Sequence, residues 1–74
     1  MPLNIEKMAA NLRGYRAKAR MTQDEVAATV GVSRITLSNY ENGTTVPQVD
    51  TAWALADLYE VTIDELMGYE RREE

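Results

Sequence analysis

Residues 34–42 place Arg34, Ile35, Ser38, Asn39 and Asn42 on one arc when set on a helix, opposite Leu37 and Tyr40. That arc has the chemistry of a surface that reads base edges. An arginine offers a planar fork of donors matching O6 and N7 of guanine, and an asparagine amide can bond N6 and N7 of adenine. An outward isoleucine suits the methyl group of thymine. Arg34, Ile35, Ser38 and Asn39 are therefore the candidate base-reading residues. The competing readings are a partly buried packing role for Ile35, and a solvated cap or a phosphate contact for Arg34.

Other chemistries find little support in the 74 residues. The chain has no histidine and no cysteine, so the commonest general base and the soft metal ligand are both missing. Ser33 and Ser38 have no base beside them in sequence. Asp24-Glu25 and Asp64-Glu65 look like paired acids, but each pair sits in a first helical turn, where negative charge complements the helix dipole. No glycine-rich phosphate loop is present. No catalytic residue, metal or cofactor is expected.

The net charge of −4 at first argues against a polyanionic partner. Its distribution argues otherwise. Lys7, Arg13, Arg16, Lys18, Arg20 and Arg34 outnumber the acids of residues 1–34, whereas residues 35–74 are strongly acidic, with Arg71 and Arg72 their only bases. The first half can face a phosphate backbone while the second half faces away. The alternative is that both halves are simply solvated surface.

The elements that must carry this arc are helices, and the periodicity predicts an all-α chain. Ile5, Met8, Leu12, Tyr15 and Ala19 form a helical stripe capped by Asn4, with Gly14 inside it costing about 1 kcal/mol relative to alanine. Thr22 and Glu25 have capping-box spacing and open a second helix that Gly31 ends. Ser33 caps a third, ending at Asn42-Gly43, and Thr44 to Pro47 reads as a loop. A fourth spans Val49 to Tyr59, with Val49, Ala52, Leu55, Ala56 and Tyr59 on one face. Thr62 and Glu65 open a short fifth that Gly68 ends. Residues 1–68 make one domain, and residues 69–74 make a charged tail expected to fray.

A helix-turn-helix needs a small residue where two helices cross, a turn residue tolerant of positive φ, and apolar residues pinning the second helix. Ala27, Gly31, and Val26, Val30, Val32, Leu37 and Tyr40 supply these. The chain here resembles the phage repressor and Cro (XRE-type) family of short regulators. The resemblance is carried by Met-Thr-Gln-Asp-Glu-Val-Ala (Met21 to Ala27), Gly-Val-Ser-Arg (Gly31 to Arg34), Tyr-Glu-Asn-Gly (Tyr40 to Gly43), Pro47, and Val-Thr-Ile-Asp-Glu-Leu-Met-Gly (Val61 to Gly68). One departure is Glu60, where members often close the fourth helix with glycine.

The resemblance implies a single five-helix domain of the lambda repressor type that binds double-stranded DNA as a small prokaryotic or phage regulator, most often a repressor. It implies that Gln23 holds a phosphate and braces the reading helix, with Ser33, Asn42, Thr44 and Thr45 as further phosphate contacts. It also implies a structural ion pair between Arg16 and Glu41. Threonines stand where many relatives carry lysine or arginine, so few counterions should be released and the salt dependence should be shallow.

Trp53 and Leu58 lie off the core stripe of the fourth helix, and aromatic and Met residues are enriched at interfaces. Trp53, Leu58, Met67 and Tyr69 are thus the candidate surface of a homodimer, which would bind a near-palindromic operator. The alternative is that Trp53 packs over the first helix. A different class of function, an antitoxin or protein-interaction module with a protein partner, would also suit the acidic surface. No segment approaches the roughly 18–20 apolar residues of a membrane span, and nothing near the start has the form of a signal peptide. The expected location is the cytoplasm, without a membrane partner.

Overall fold

Five helices account for most of residues 3–68, which are the residues that the computed structural model describes: α1 (Ile5–Ala19), α2 (Gln23–Val30), α3 (Arg34–Asn42), α4 (Val49–Tyr59) and α5 (Ile63–Met67). There is no strand among them. Tyr69 and the remainder of the tail 69–74 lie outside the described residues. No helix among the described residues is long and apolar enough to cross a membrane.

Local chemistry sets most of the boundaries. The first turn of a helix leaves backbone donors without partners. Asn4 accepts from the backbone of Lys7 at 3.0 Å, and Ser33 accepts from Thr36 at 3.0 Å. Thr22–Glu25 and Thr62–Glu65 form complete, reciprocal capping boxes. The α5 box holds the Glu65 carboxyl below its ordinary range, first through the backbone N–H of Thr62 and then through its hydroxyl. Only α4 starts without a side-chain cap, at Gln48. The α1 helix runs unbroken through Gly14.

All five helices end on a residue in the left-handed region. Gly31, with φ of 82°, makes the sharp turn between α2 and α3 at no steric penalty. Glu60 adopts the same geometry with φ of 58°, so its departure from the family pattern leaves the turn unchanged and adds Cβ strain instead. Glu60→Gly should therefore raise stability by about 0.5–1 kcal/mol, read as a higher midpoint in urea. An unchanged or lower midpoint would show that the Glu60 backbone is unstrained.

Met8, Leu12, Val26, Leu37, Leu55 and Leu66 are fully buried in one cluster shared by all five helices. Ala27 is buried at the α2–α3 crossing, where only a small side chain lets the helices approach, and Val30 and Val32 pack against the cluster from its margin. The α1 helix lies across α3 and α5 and positions the third helix relative to the rest. Two stripe residues depart from expectation. Ala19 is exposed at a cleft that it lines with Tyr15, Lys18 and Leu58, and Val49 is 75% exposed.

Candidate nucleic-acid interface

The expected arc of α3 is open to solvent. Leu37 and Tyr40 are buried, while Arg34, Ile35 and Asn42 are exposed and Ser38 and Asn39 half-buried. Ile35 is 71% exposed, which excludes the packing role and leaves an apolar side chain facing outward. An isolated exposed isoleucine is unremarkable on a protein surface, but this one stands between an arginine and an asparagine on the same face.

The third helix is held to the body by a polar cluster centred on Glu41. Its side chain is 2% exposed and accepts from Arg16 Nε at 2.8 Å. Gln23 Nε2 donates to its other carboxylate oxygen at 3.0 Å. A buried carboxylate without such partners would be prohibitively placed; here both oxygens are satisfied. Arg16 also donates through Nη1 to the carbonyl of Met21 at 3.1 Å, tying the α1–α2 turn into the same cluster. Hydrogen bonding to Glu41 pushes the Arg16 guanidinium further above its already high value, so the guanidinium stays charged.

Sequence reasoning missed Arg13. Its Nη1 donates to the backbone carbonyl of Glu41, satisfying an acceptor in the last turn of α3 with a positive charge where the dipole favours one. Arg13 and Arg16 lie three residues apart on one face of α1, the spacing that could have pointed to a shared target. Both arginines engage α3, so the basic first half of the chain has fewer free cations than its composition suggested.

The expected phosphate contacts divide by what their donors already do. Gln23 keeps a second amide N–H beside the N-terminus of α2, so bracing Glu41 does not exclude a phosphate contact. Ser33 is committed to its cap: its hydroxyl accepts from Thr36 N and donates to Thr36 Oγ1 at 2.8 Å. Asn42 reaches Ser38 Oγ only at 3.4 Å and remains exposed. The backbone N–H groups of Thr44 and Thr45 both point at the carbonyl of Asn39, at 2.9 and 3.4 Å. Their exposed hydroxyls are thus the groups left for a phosphate.

The structure divides the surface proposed for pairing. Trp53 is 62% exposed, so most of its ring stays in water. With Val49 one turn earlier and Val46 in the preceding loop, it forms an apolar strip. Leu58 is half-buried and lines a separate cleft with Tyr15, Lys18 and Tyr59. Met67 is only 5% exposed and belongs to the core, so it is withdrawn from any interface. Tyr69 lies outside the described residues.

Tyr59 sits behind the Glu41 cluster with its ring stacked on Tyr15, centroids 6.0 Å apart. Its hydroxyl is buried without a hydrogen-bond partner. Burial, reinforced by the negative charge of Glu41 and opposed by Arg16, pushes it up to about 12. Because the folded state holds the proton more tightly than the unfolded chain, this contribution is complete below the ordinary value of 10.0 and disappears as pH rises toward 12. Tyr59→Phe removes an unsatisfied buried group, so its stability at neutral pH should equal or exceed the parent's, with a shallower decline above about pH 10. Urea midpoints taken across the alkaline range check both; a variant clearly weaker at neutral pH would mean that the hydroxyl has a partner.

Residues 12–66 match the family described as Helix-turn-helix (HTH_3). The chain is 38% identical over 61 residues to the HTH-type transcriptional regulator ImmR of Bacillus subtilis, covering 82% of this chain and 48% of ImmR. It is 37% identical over 60 residues to the cryptic phage CTXphi transcriptional repressor RstR of Vibrio cholerae, covering 81% of this chain and 54% of RstR. The chain thus spans about half the length of these two relatives. Among solved structures it superposes on the P22 c2 repressor in complex with synthetic operator 9T, with a TM-score of 0.80, 27% identity, and coverage of 85% of this chain and 96% of the repressor.

Proposed function

The chain belongs to the helix-turn-helix family of DNA-binding transcriptional regulators, and from that premise we propose that α3 enters the major groove of duplex DNA and that the protein acts as a repressor. In this reading Arg34 bonds a guanine, Asn39 an adenine, Ile35 packs on a thymine methyl, and Ser38 adds a further base contact. Gln23, Asn42, Thr44 and Thr45 hold phosphates, with the N-terminus of α2 assisting Gln23. Ser33 serves as the cap of the reading helix. The observation that carries the proposal is a solvent-facing arc of Arg34, Ile35, Asn39 and Asn42, free of acids, on a helix clamped from behind through Glu41.

A helix-turn-helix protein that binds as a dimer sets one reading helix in each of two half-sites. The Val46–Val49–Trp53 strip is the surface that supports a homodimer, since a domain of this size gains little from leaving a tryptophan in water. Pairing would set two reading helices about 34 Å apart, one turn of DNA, and call for a near-palindromic operator. The cytoplasm is the matching location.

Selection of the purified protein on random duplex DNA, near physiological salt, tests the reading. Enrichment of a two-fold symmetric motif containing a guanine in each half-site supports it. Absence of enrichment by a folded protein would overturn it and favour a protein partner on the apolar strip, the antitoxin-like alternative. Arg34 is the single base between Thr22 and Thr45, so the affinity should fall only gently with salt; a slope requiring about eight or more released counterions contradicts the assigned contacts. A protein that stays monomeric at tens of micromolar, with and without the selected duplex, contradicts the dimer.

A further inference from the structure

We propose that Asp24 is a positioning residue for base recognition, holding the Arg34 guanidinium by one edge so that the other edge is presented to guanine; this rests on the reading of α3 given above.

The charges at the helix starts are uneven. The first turns of α1, α2, α4 and α5 carry Glu6, Asp24 and Glu25, Asp50, and Asp64 and Glu65, where acids complement the dipole. The first turn of α3 has no acid and opens on Arg34, a cation at the positive end of the helix. Arg34 is thus unfavourable for its own helix and needs a reason outside it. A negative charge reaches it from the neighbouring helix: Asp24 Oδ1 lies 3.7 Å from Arg34 Nε.

The atoms involved matter. A guanidinium carries its five N–H groups in one plane, along two usable edges. Asp24 approaches Nε, which leaves the outer edge, Nη1 with Nη2, to form the two parallel bonds that O6 and N7 of guanine accept. In the free protein both side chains are well exposed, 63% for Arg34 and 77% for Asp24, and such a pair contributes little to stability. When a duplex displaces the surrounding water, the same pair strengthens because its screening falls. The rotamer freedom that Arg34 must give up on binding is then partly restricted in advance.

Asp24 also has an opposite effect on DNA in general. A carboxylate in the first turn of α2, next to Gln23, repels nearby phosphates whatever the sequence. Its presence therefore weakens non-specific binding while favouring the one arrangement in which Arg34 meets a guanine. Specificity is a difference of affinities, and this carboxylate widens it from both sides.

The test measures binding of the parent, Asp24→Ala, Asp24→Glu and Arg34→Ala at one salt concentration. The probes are the duplex recovered by selection, the same duplex with the Arg34-dependent guanine replaced by adenine, and a random-sequence duplex. Asp24→Ala should bind the random duplex more tightly, yet discriminate guanine from adenine about three- to tenfold less well. Asp24→Glu should restore most of that discrimination. Equal tightening on all three duplexes would mark Asp24 as a mere surface charge and overturn the inference. If Arg34→Ala loses discrimination and Asp24→Ala keeps it, this inference alone fails. If Arg34→Ala keeps it too, or selection recovers no guanine, the groove reading fails with it. The thermal midpoint of Asp24→Glu should match the parent and that of Asp24→Ala should fall by only a few degrees, about what the lost first-turn charge of α2 costs, which separates the effect from misfolding.

Discussion

Replacing Arg16 with methionine is expected to destabilise the fold by about 3–5 kcal/mol, because it leaves a buried carboxylate with one neutral partner. Glu41 is 2% exposed and its charge is balanced through Arg16 Nε at 2.8 Å; afterwards only the Gln23 amide would remain. The carboxylate must then be buried unpaired, take up a proton, or pull α3 away from α1 to reach water. In a domain of this size each kcal/mol moves the thermal midpoint by about 4–8 °C, so the change is easily read in a melting curve. The Arg16→Met, Glu41→Leu double variant should recover much of the loss, since an apolar replacement of both partners removes the stranded charge. A single variant as stable as the parent would mean that the pair is no more than a surface contact.

Arg34→Ala should have the reverse profile: DNA recognition changes and the fold does not. Arg34 is exposed and stands at the unfavourable end of the α3 dipole, so its removal should leave the urea midpoint within about 0.5 kcal/mol of the parent. Discrimination at one base pair of each half-site should fall by about 1–3 kcal/mol, roughly five- to 150-fold, while the preferences at other positions persist. Competition binding against each single-base variant of the selected duplex provides the measurement. A uniform loss across all sequences would reassign Arg34 to a phosphate contact. Together the two variants separate the residue that holds the reading helix in place from the one that reads.

What was legible in the chain follows the range of the interaction involved. Caps act within four residues, so Thr22 with Glu25, Thr62 with Glu65, and Ser33 could be read directly, and the helices begin beside them. The outward arc of α3 was legible because a helix of known phase, pinned by Leu37 and Tyr40, leaves no freedom about where Arg34 and Asn39 point. The Arg16–Glu41 pair was less accessible. Its partners are 25 residues apart, and only resemblance to a family brought them together.

Other features depended on which helix covers which face. Periodicity marks Val49 and Ala52 as sharing a stripe, but the first stays in water and the second is buried. Met67 and Trp53 both looked like interface residues in sequence; one is core and the other lies open. Arg13 on the Glu41 carbonyl, Gln23 on its carboxylate, and Asp24 beside Arg34 all cross between helices, and their approach depends on crossing angles that no local pattern records. The amino-acid sequence by itself determined the five helices, their ends and the side chains that one of them offers, since hydrogen bonding along a helix and its 3.6-residue period are local. The tertiary structure decided how that helix is clamped, which apolar residues stay in water and which carboxylate stands beside the reading arginine, because each of these is set by the distance between groups that only packing brings together.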